Sequence, residues 1–146
     1  MTEEIPGIGA VSVTVERDPF EMLKLGTYAG SCLDVGGLCT YSAAAVVLDV
    51  NKRVLYARDA RGNVIARQVV AISEDDRLVL FDVYPAGTSA AVRKLFHAYD
   101  LRFAEALGMP IHGGDEEGGD VAHILSRDWW YDGAIDVSAL AGESDV

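Results

Sequence analysis

The stretch LVLFDVYPAGTSAAVRKLFHAYDLRFAEALG, residues 78–108, decides the fold of this chain. It opens with an apolar run typical of a buried strand and crosses a turn at residues 85–87. Apolar side chains then recur at three- and four-residue spacing, which predicts an amphipathic helix with Thr88 or Ser89 as its N-cap and Gly108 as its end. The apolar positions are Val92, Leu95, Phe96, Tyr99, Phe103, Ala106 and Leu107. We therefore expect a strand that leads directly into a long helix lying across a sheet.

Apolar runs broken by short turns precede this unit, at residues 43–50, 54–58, 64–72 and 78–84. Short connections join antiparallel neighbours, because parallel strands need crossovers of a dozen or more residues. These runs predict a four-stranded meander. Residues 109–112 are then expected to start a further strand.

The N-terminal part predicts a strand and a short helix. Residues 11–15 alternate apolar and hydroxyl side chains, which is typical of a half-buried strand. Asp18 then provides an N-cap, with Pro19 at the first helical position and Gly26 as the expected end of the helix. Residues 26–41, which are rich in glycine and contain both cysteines, are expected to form a shaped loop.

Together these segments predict an α+β fold, with a mainly antiparallel sheet of five to six strands and one long amphipathic helix packed on a face. The length of 146 residues suits a single domain over residues 1–146. Within it, residues 1–9 and 141–146 are expected to be flexible.

The net charge of −11 excludes some classes of partner. Nine carboxylates and one arginine lie in residues 115–146, so the acidic excess is concentrated there. Such a field repels phosphate backbones and anionic lipids, so we expect neither nucleic acid nor membrane as a partner. There is no apolar run of about 20 residues, and the N-terminus is acidic where a signal peptide is basic. The chain is therefore expected to be cytoplasmic.

Several residues are candidates for chemistry or binding. Cys32 lies in a glycine-rich turn and is either a nucleophilic thiol or a small buried residue. The spacing between Cys32 and Cys39 is wider than that of a zinc knuckle, and no metal site is predicted. Trp129 and Trp130 are either core residues or the contact of a homo-oligomer. Arg58 and Arg67 either hold an anion together or pair with carboxylates on neighbouring strands.

The order of meander, strand ending at Val83-Tyr84-Pro85, glycine-containing turn and long helix resembles the fold of the GNAT acyltransferases. The resemblance covers about residues 43–112, although the turn lacks the leading Arg/Gln and the second glycine of that family's pattern. It implies acetyl-CoA or a related acyl-CoA as the cofactor and a small-molecule or protein amine as the substrate. It also implies a set of roles. Gly87, Thr88 and Ser89 would bind the cofactor, Tyr99 or Tyr84 would protonate the leaving thiolate, and Glu74 or Asp82 would accept the amine proton.

Two other functions are open at this point. One is a non-catalytic acidic domain that binds or regulates another protein, through residues 129–131 or the acidic C-terminal part. The other is a cysteine- or metal-dependent enzyme that uses Cys32. The chain also resembles a domain found in bacterial proteins, and that resemblance brings no activity with it.

Overall fold

The computed structural model of the chain describes residues 1–30 and 40–112. In these residues five strands form one sheet in the order β1-β2-β3-β4-β5, so each strand lies beside its neighbour in the chain. The strands are β1 (Thr2–Ile5), β2 (Gly9–Val15), β3 (Lys52–Arg58), β4 (Val64–Ile72) and β5 (Leu78–Leu80). All neighbouring pairs are antiparallel, which confirms the predicted class of sheet.

Helices cover both faces of this sheet. Those in the described residues are α1 (Pro19–Leu23), α2 (Leu25–Ala29), α3 (Thr40–Leu48) and α4 (Ala90–Leu107). On one face, Leu95 and Phe96 of α4 pack with Leu55 of β3. On the other, Leu25 of α2 packs with Val54. Adjacent residues of β3 pack in opposite cores because side chains alternate along a strand. Each large apolar side chain buried in this way stabilises the folded state by about 1.5–3 kcal/mol.

Local sequence signals set the ends of the best-defined helices. Asp18 accepts a hydrogen bond from Phe20 N (2.9 Å) at the start of α1. Ser89 Oγ accepts one from Val92 N (3.3 Å) at the start of α4. Gly108, with φ of 66°, ends α4 in the left-handed conformation that glycine adopts without strain. The predicted long helix, its cap and its end are therefore confirmed.

Residues 43–50 were predicted as a strand, and this is wrong: most of them belong to α3. Ala43 and Val46 are buried at a helical spacing of three and pack in the core with Met22. An apolar run without alternation does not distinguish a buried strand from a buried helix, and the alanine run at 43–45 favours the helix. The meander therefore consists of β3, β4 and β5, and the N-terminal strands complete the sheet.

The expected end of the first helix at Gly26 is also wrong. α1 ends at Leu23 with Lys24 as its C-cap, and Gly26 lies inside α2, which ends at Gly30 with φ of 58°. The expected loop at 26–41 is thus shortened by α2 and α3, and its residues 31–39 lie outside the described part. Within the stretch 1–9 that was expected to be flexible, residues 2–5 form β1 and pair with β2.

No helix among residues 1–30 and 40–112 is long and apolar enough to cross a bilayer.

Candidate functional site

β5 continues beyond Leu80 as an extended segment with a bulge. Val70 of β4 pairs with Leu80, and the next pair joins Arg67 of β4 to Tyr84. Two residues of β4 therefore face three residues, 81–83, of the other strand. Such bulges bend the strand, re-aim side chains and end regular pairing, and they are over-represented beside active sites.

On its other side, β5 meets a short parallel segment that follows α4. Leu78 N donates to Pro110 O (2.9 Å), and His112 N donates to Leu78 O (2.8 Å), which makes a parallel bridge to Ile111. Backbone groups alternate in direction along a strand, so the amide and carbonyl of Leu80 point to the same side as those of Leu78. Within the described residues, the main-chain donor and acceptor of Leu80 thus lie on the outer side of β5, immediately before the bulge.

The turn between the bulge and α4 is held by one arginine. Arg93, the fourth residue of α4, donates from Nε to Thr88 O (3.1 Å) and from Nη2 to Ala86 O (2.8 Å) and Pro85 O (3.4 Å). Thr88 closes the turn, since its N (3.0 Å) and its Oγ1 (2.7 Å) both donate to Pro85 O. The guanidinium is therefore fixed at the N-terminus of α4, where the helix dipole is already positive. This arrangement favours an anion.

The main chain of the turn is open on its outer side. A Cβ at Gly87 would meet no atom within 4 Å, and its φ is not left-handed, so neither packing nor backbone strain requires glycine there. Ser89 satisfies the N–H of Val92, whereas the N–H groups of Ala90 and Ala91 have no acceptor inside the helix. Donors for an anionic ligand are thus present beside unfilled space.

Two of the proposed acid and base residues lie together at this bulge. Asp82 is exposed on its three-residue side, and Tyr84 follows where pairing with β4 resumes. The Tyr84 ring is 37% exposed, and its inner face lies against the guanidinium of Arg67, 4.4 Å from the Arg67 carbon Cζ to the ring centroid. A carboxylate and a phenol are thus close in the chain beside the open turn.

The other two proposed acid and base residues lie elsewhere. Tyr99 of α4 and Val15 of β2 pack against the same core. Burial raises the pKa of Tyr99, against a smaller opposing effect of the Val15 main chain. Glu74 is exposed in the turn between β4 and β5, at the far end of β5 from Tyr84. The structure therefore does not bring Tyr99 or Glu74 to the bulge.

The remaining predicted residues are either paired or outside the described part. The carboxylates expected from the sequence to pair with Arg58 and Arg67 are Asp49, Asp59 and Asp82, but Arg58 forms its ion pair with Glu16. Although burial opposes it, hydrogen bonds from the Asp18 N–H and from Arg58 hold the pKa of Glu16 below its usual value. Cys32, Trp129 and Trp130 lie outside the described residues, and residues 1–30 and 40–112 contain no group of three metal-ligating side chains.

Sequence reasoning did not find Arg93 or Gln68. Gln68 Nε2 donates to Phe81 O (3.0 Å), so this side chain from β4 supports the bulge directly. Arg93 stands four residues after the N-cap, and that spacing places a long cationic side chain back over the turn. This spacing is the signal in the sequence that could have indicated the role of Arg93. The bulge that gives Gln68 its role depends on strand pairing and has no local signal.

No family model and no curated protein matches the chain. Among solved structures, the chain is similar to a ribosomal-protein-alanine N-acetyltransferase from Brucella melitensis biovar Abortus 2308. The two share 16% sequence identity, the match covers 75% of this chain and 84% of that one, and the TM-score is 0.49. Similarity at this level transfers no activity to the present chain.

Proposed function

We propose that the chain binds an acyl-coenzyme A at the turn between β5 and α4 and transfers its acyl group to an amine. The observation that carries the proposal is the position of Arg93. Its guanidinium is held by three main-chain oxygens of the turn at the N-terminus of an 18-residue helix, directly after a bulged strand. The order of these elements is also the one that the resemblance noted from the sequence implies.

The residues present fit such a ligand. A diphosphate needs N–H donors and positive charge, which Ala90 N, Ala91 N and the Arg93 guanidinium supply. Arg93 Nη1 donates to no described residue and is therefore available to the ligand. The pantetheine arm carries amide groups, and the outward amide and carbonyl of Leu80 suit them in the manner of an added strand. The open space at Gly87 leaves room for both parts to meet.

The bound acyl-coenzyme A supplies a thioester whose carbonyl carbon reacts with an amine. In the proposed site, the Asp82 carboxylate accepts the proton that the amine nitrogen loses when it bonds to that carbon. The Tyr84 hydroxyl donates a proton to the sulfur as the carbon–sulfur bond breaks. One proton is taken up and one is released, so the products are an amide and a thiol.

The two alternative functions stay predictions. An acidic binding domain would depend on residues 113–146, and an enzyme based on Cys32 would depend on residues 31–39. Both segments lie outside the described residues, whereas the site at α4 is fully described.

Calorimetric titration and thermal unfolding with acetyl-coenzyme A test the proposal. We expect saturable binding and a rise of several degrees in Tm once the ligand exceeds its Kd a hundredfold. Gly87→Val fills the open space beside the turn without a clash in the described residues, so it should retain the Tm of the free protein and lose affinity. A wild-type protein that shows neither heat nor a Tm shift at millimolar acetyl-coenzyme A would exclude the proposed function.

A further inference from the structure

A buried polar contact connects α4 to the bulge through β4. Asp100 of α4 is only 2% exposed and Gln68 of β4 is 5% exposed. Gln68 lies between Ala66 and Val70 on the face of β4 that packs against α4, and its amide is close enough to Asp100 to affect the pKa of that carboxyl. Gln68 Nε2 also donates to Phe81 O (3.0 Å). The three groups therefore form one chain from the helix to the main chain of the bulge.

This contact contains more acceptors than donors. Asp100 Oδ1 and Gln68 Oε1 are both buried and have no hydrogen-bond partner. Within residues 1–30 and 40–112, the side-chain donor recorded beside Asp100 is the Gln68 amide, which already donates to Phe81 O. An unsatisfied buried oxygen is costly, so a proton on Asp100 would supply the donor that the contact lacks.

We propose that Asp100 and Gln68 are positioning residues, which hold the main chain of the bulge at Phe81 in fixed relation to α4. The proposal rests on the proposed function in one respect: Asp82 and Tyr84, the proposed base and acid, follow this anchored carbonyl in the chain. Helix and bulge carry the two halves of the proposed site: α4 provides the anion donors, and the bulge provides the acid and base. Their relative position then depends on a contact that neither half makes alone.

The protonation state of Asp100 should set the strength of this contact. Burial raises the pKa of Asp100 to about 7, against a smaller opposing effect of the hydrogen bond from Gln68. Among the described residues, no other group contributes to that shift. The charge of Asp100 in turn raises the pKa of the adjacent Tyr99. The charged groups at the margins of the same sheet face are Glu3 opposite β2, Arg17 after β2, Arg53 on β3 and Asp82 in the bulge. We expect protonated Asp100 to hold the main chain of the bulge in place and ionised Asp100 to weaken that hold.

Amide hydrogen exchange of the full chain tests the proposal without reference to activity. In Gln68→Leu, exchange at the amides of Phe81 and Tyr84, which donate to β4 on either side of the bulge, should rise at least tenfold, corrected for intrinsic rates, relative to the amides of β3. Val70→Ala is the matched control, because Val70 is buried on the same strand and face but lies outside the contact. An increase that is equal in both variants, or spread evenly over the sheet, would overturn the proposal.

A pH series provides a second test that does not depend on the folding of Gln68→Leu. In the wild type, protection of the Phe81 and Tyr84 amides should fall between pH 6 and pH 8, and Asp100→Asn should abolish that fall. Equal pH profiles in the two proteins would contradict the proposal.

Titration with coenzyme A across the same pH range separates this proposal from the proposed function. If the wild type fails to bind coenzyme A but shows the local exchange effect, the proposed function is wrong and the positioning role is supported. If Gln68→Leu leaves both the binding and the exchange at Phe81 and Tyr84 unchanged, the function is supported and the positioning role is wrong.

Discussion

Arg93 Nη2 donates a hydrogen bond to the main-chain oxygen of Ala86 over 2.8 Å, so the first turn of α4 is tied to the segment that leads into it. The contact uses a charged side chain to satisfy carbonyl groups of an exposed turn. It also brings a fixed positive charge to a place where a strand, an open turn and a helix N-terminus meet. The charge of the proposed ligand site thus depends on this side chain, which also helps to hold the turn.

Replacing this side chain should weaken ligand binding more than it weakens the fold. In Arg93→Gln we expect the Kd for coenzyme A to rise by roughly tenfold to a hundredfold, because a charge-assisted hydrogen bond contributes about 1.5–3 kcal/mol. Arg102→Gln is the matched control, since it removes the same charge from an exposed position nine residues further along α4. Equal losses of affinity in the two variants would show that net charge, rather than the turn, governs binding.

Two glycines that flank the same helix should respond differently to alanine. Gly108 has φ of 66°, a conformation that costs an alanine about 1 kcal/mol, whereas Gly87 has an ordinary φ and open surroundings. Gly108→Ala should therefore lower the free energy of unfolding by about 1 kcal/mol. Gly87→Ala should leave it unchanged or raise it slightly. Chemical denaturation measures both values, and equal effects would contradict this account of the helix end.

The fold was largely predictable where local chemistry agrees with the final structure. In the stretch from Leu78 to Gly108, the spacing of apolar residues, the N-cap and the terminating glycine all predict the helix, and each of these signals is local in the sequence. Residues 43–50 carry no such signal. Their apolar run suits either kind of buried element; the alanines at 43–45 favour a helix only weakly, and packing with Met22 and Leu25 buries that helix.

The site was predictable in place but not in detail. Gly87 and Ser89 indicate a turn before a helix, and both residues do lie there. Which acid and base share that place depends on the direction of each strand and on the bulge. For this reason Tyr84 and Asp82 lie at the turn, whereas Tyr99 reaches across the sheet to β2.

Two leucines of α4 should separate burial from helix propensity. Leu95 is 1% exposed and packs in the core between α4 and the sheet, whereas Leu101 is 51% exposed on the same helix. An unpaired carboxylate in that core costs several kcal/mol, so Leu95→Asp should unfold the chain. Leu101→Asp should change the free energy of unfolding by less than about 1 kcal/mol. Circular dichroism with urea titration checks both, and a folded Leu95→Asp variant would show that α4 does not carry the core.

The free energy of unfolding should decrease as the pH rises, because the pKa of Asp100 is raised in the folded chain. Its pKa is about 7 in the folded chain against a reference value of 3.8, so the folded state retains a proton that the unfolded state releases as the pH rises above 4. The contribution of this group therefore becomes less favourable up to about pH 7 and is constant above that value.

The substitution Asp100→Asn removes this titration. Its advantage in free energy of unfolding over the wild type should grow by at most roughly 3 kcal/mol between pH 5 and pH 8, because about two of the roughly three units of the pKa shift lie in that range. Urea unfolding at several pH values measures the difference, with Asp75→Asn, at an exposed turn, as the control. Parallel pH profiles for Asp100→Asn and the wild type would mean that Asp100 is ionised in the folded chain throughout this range.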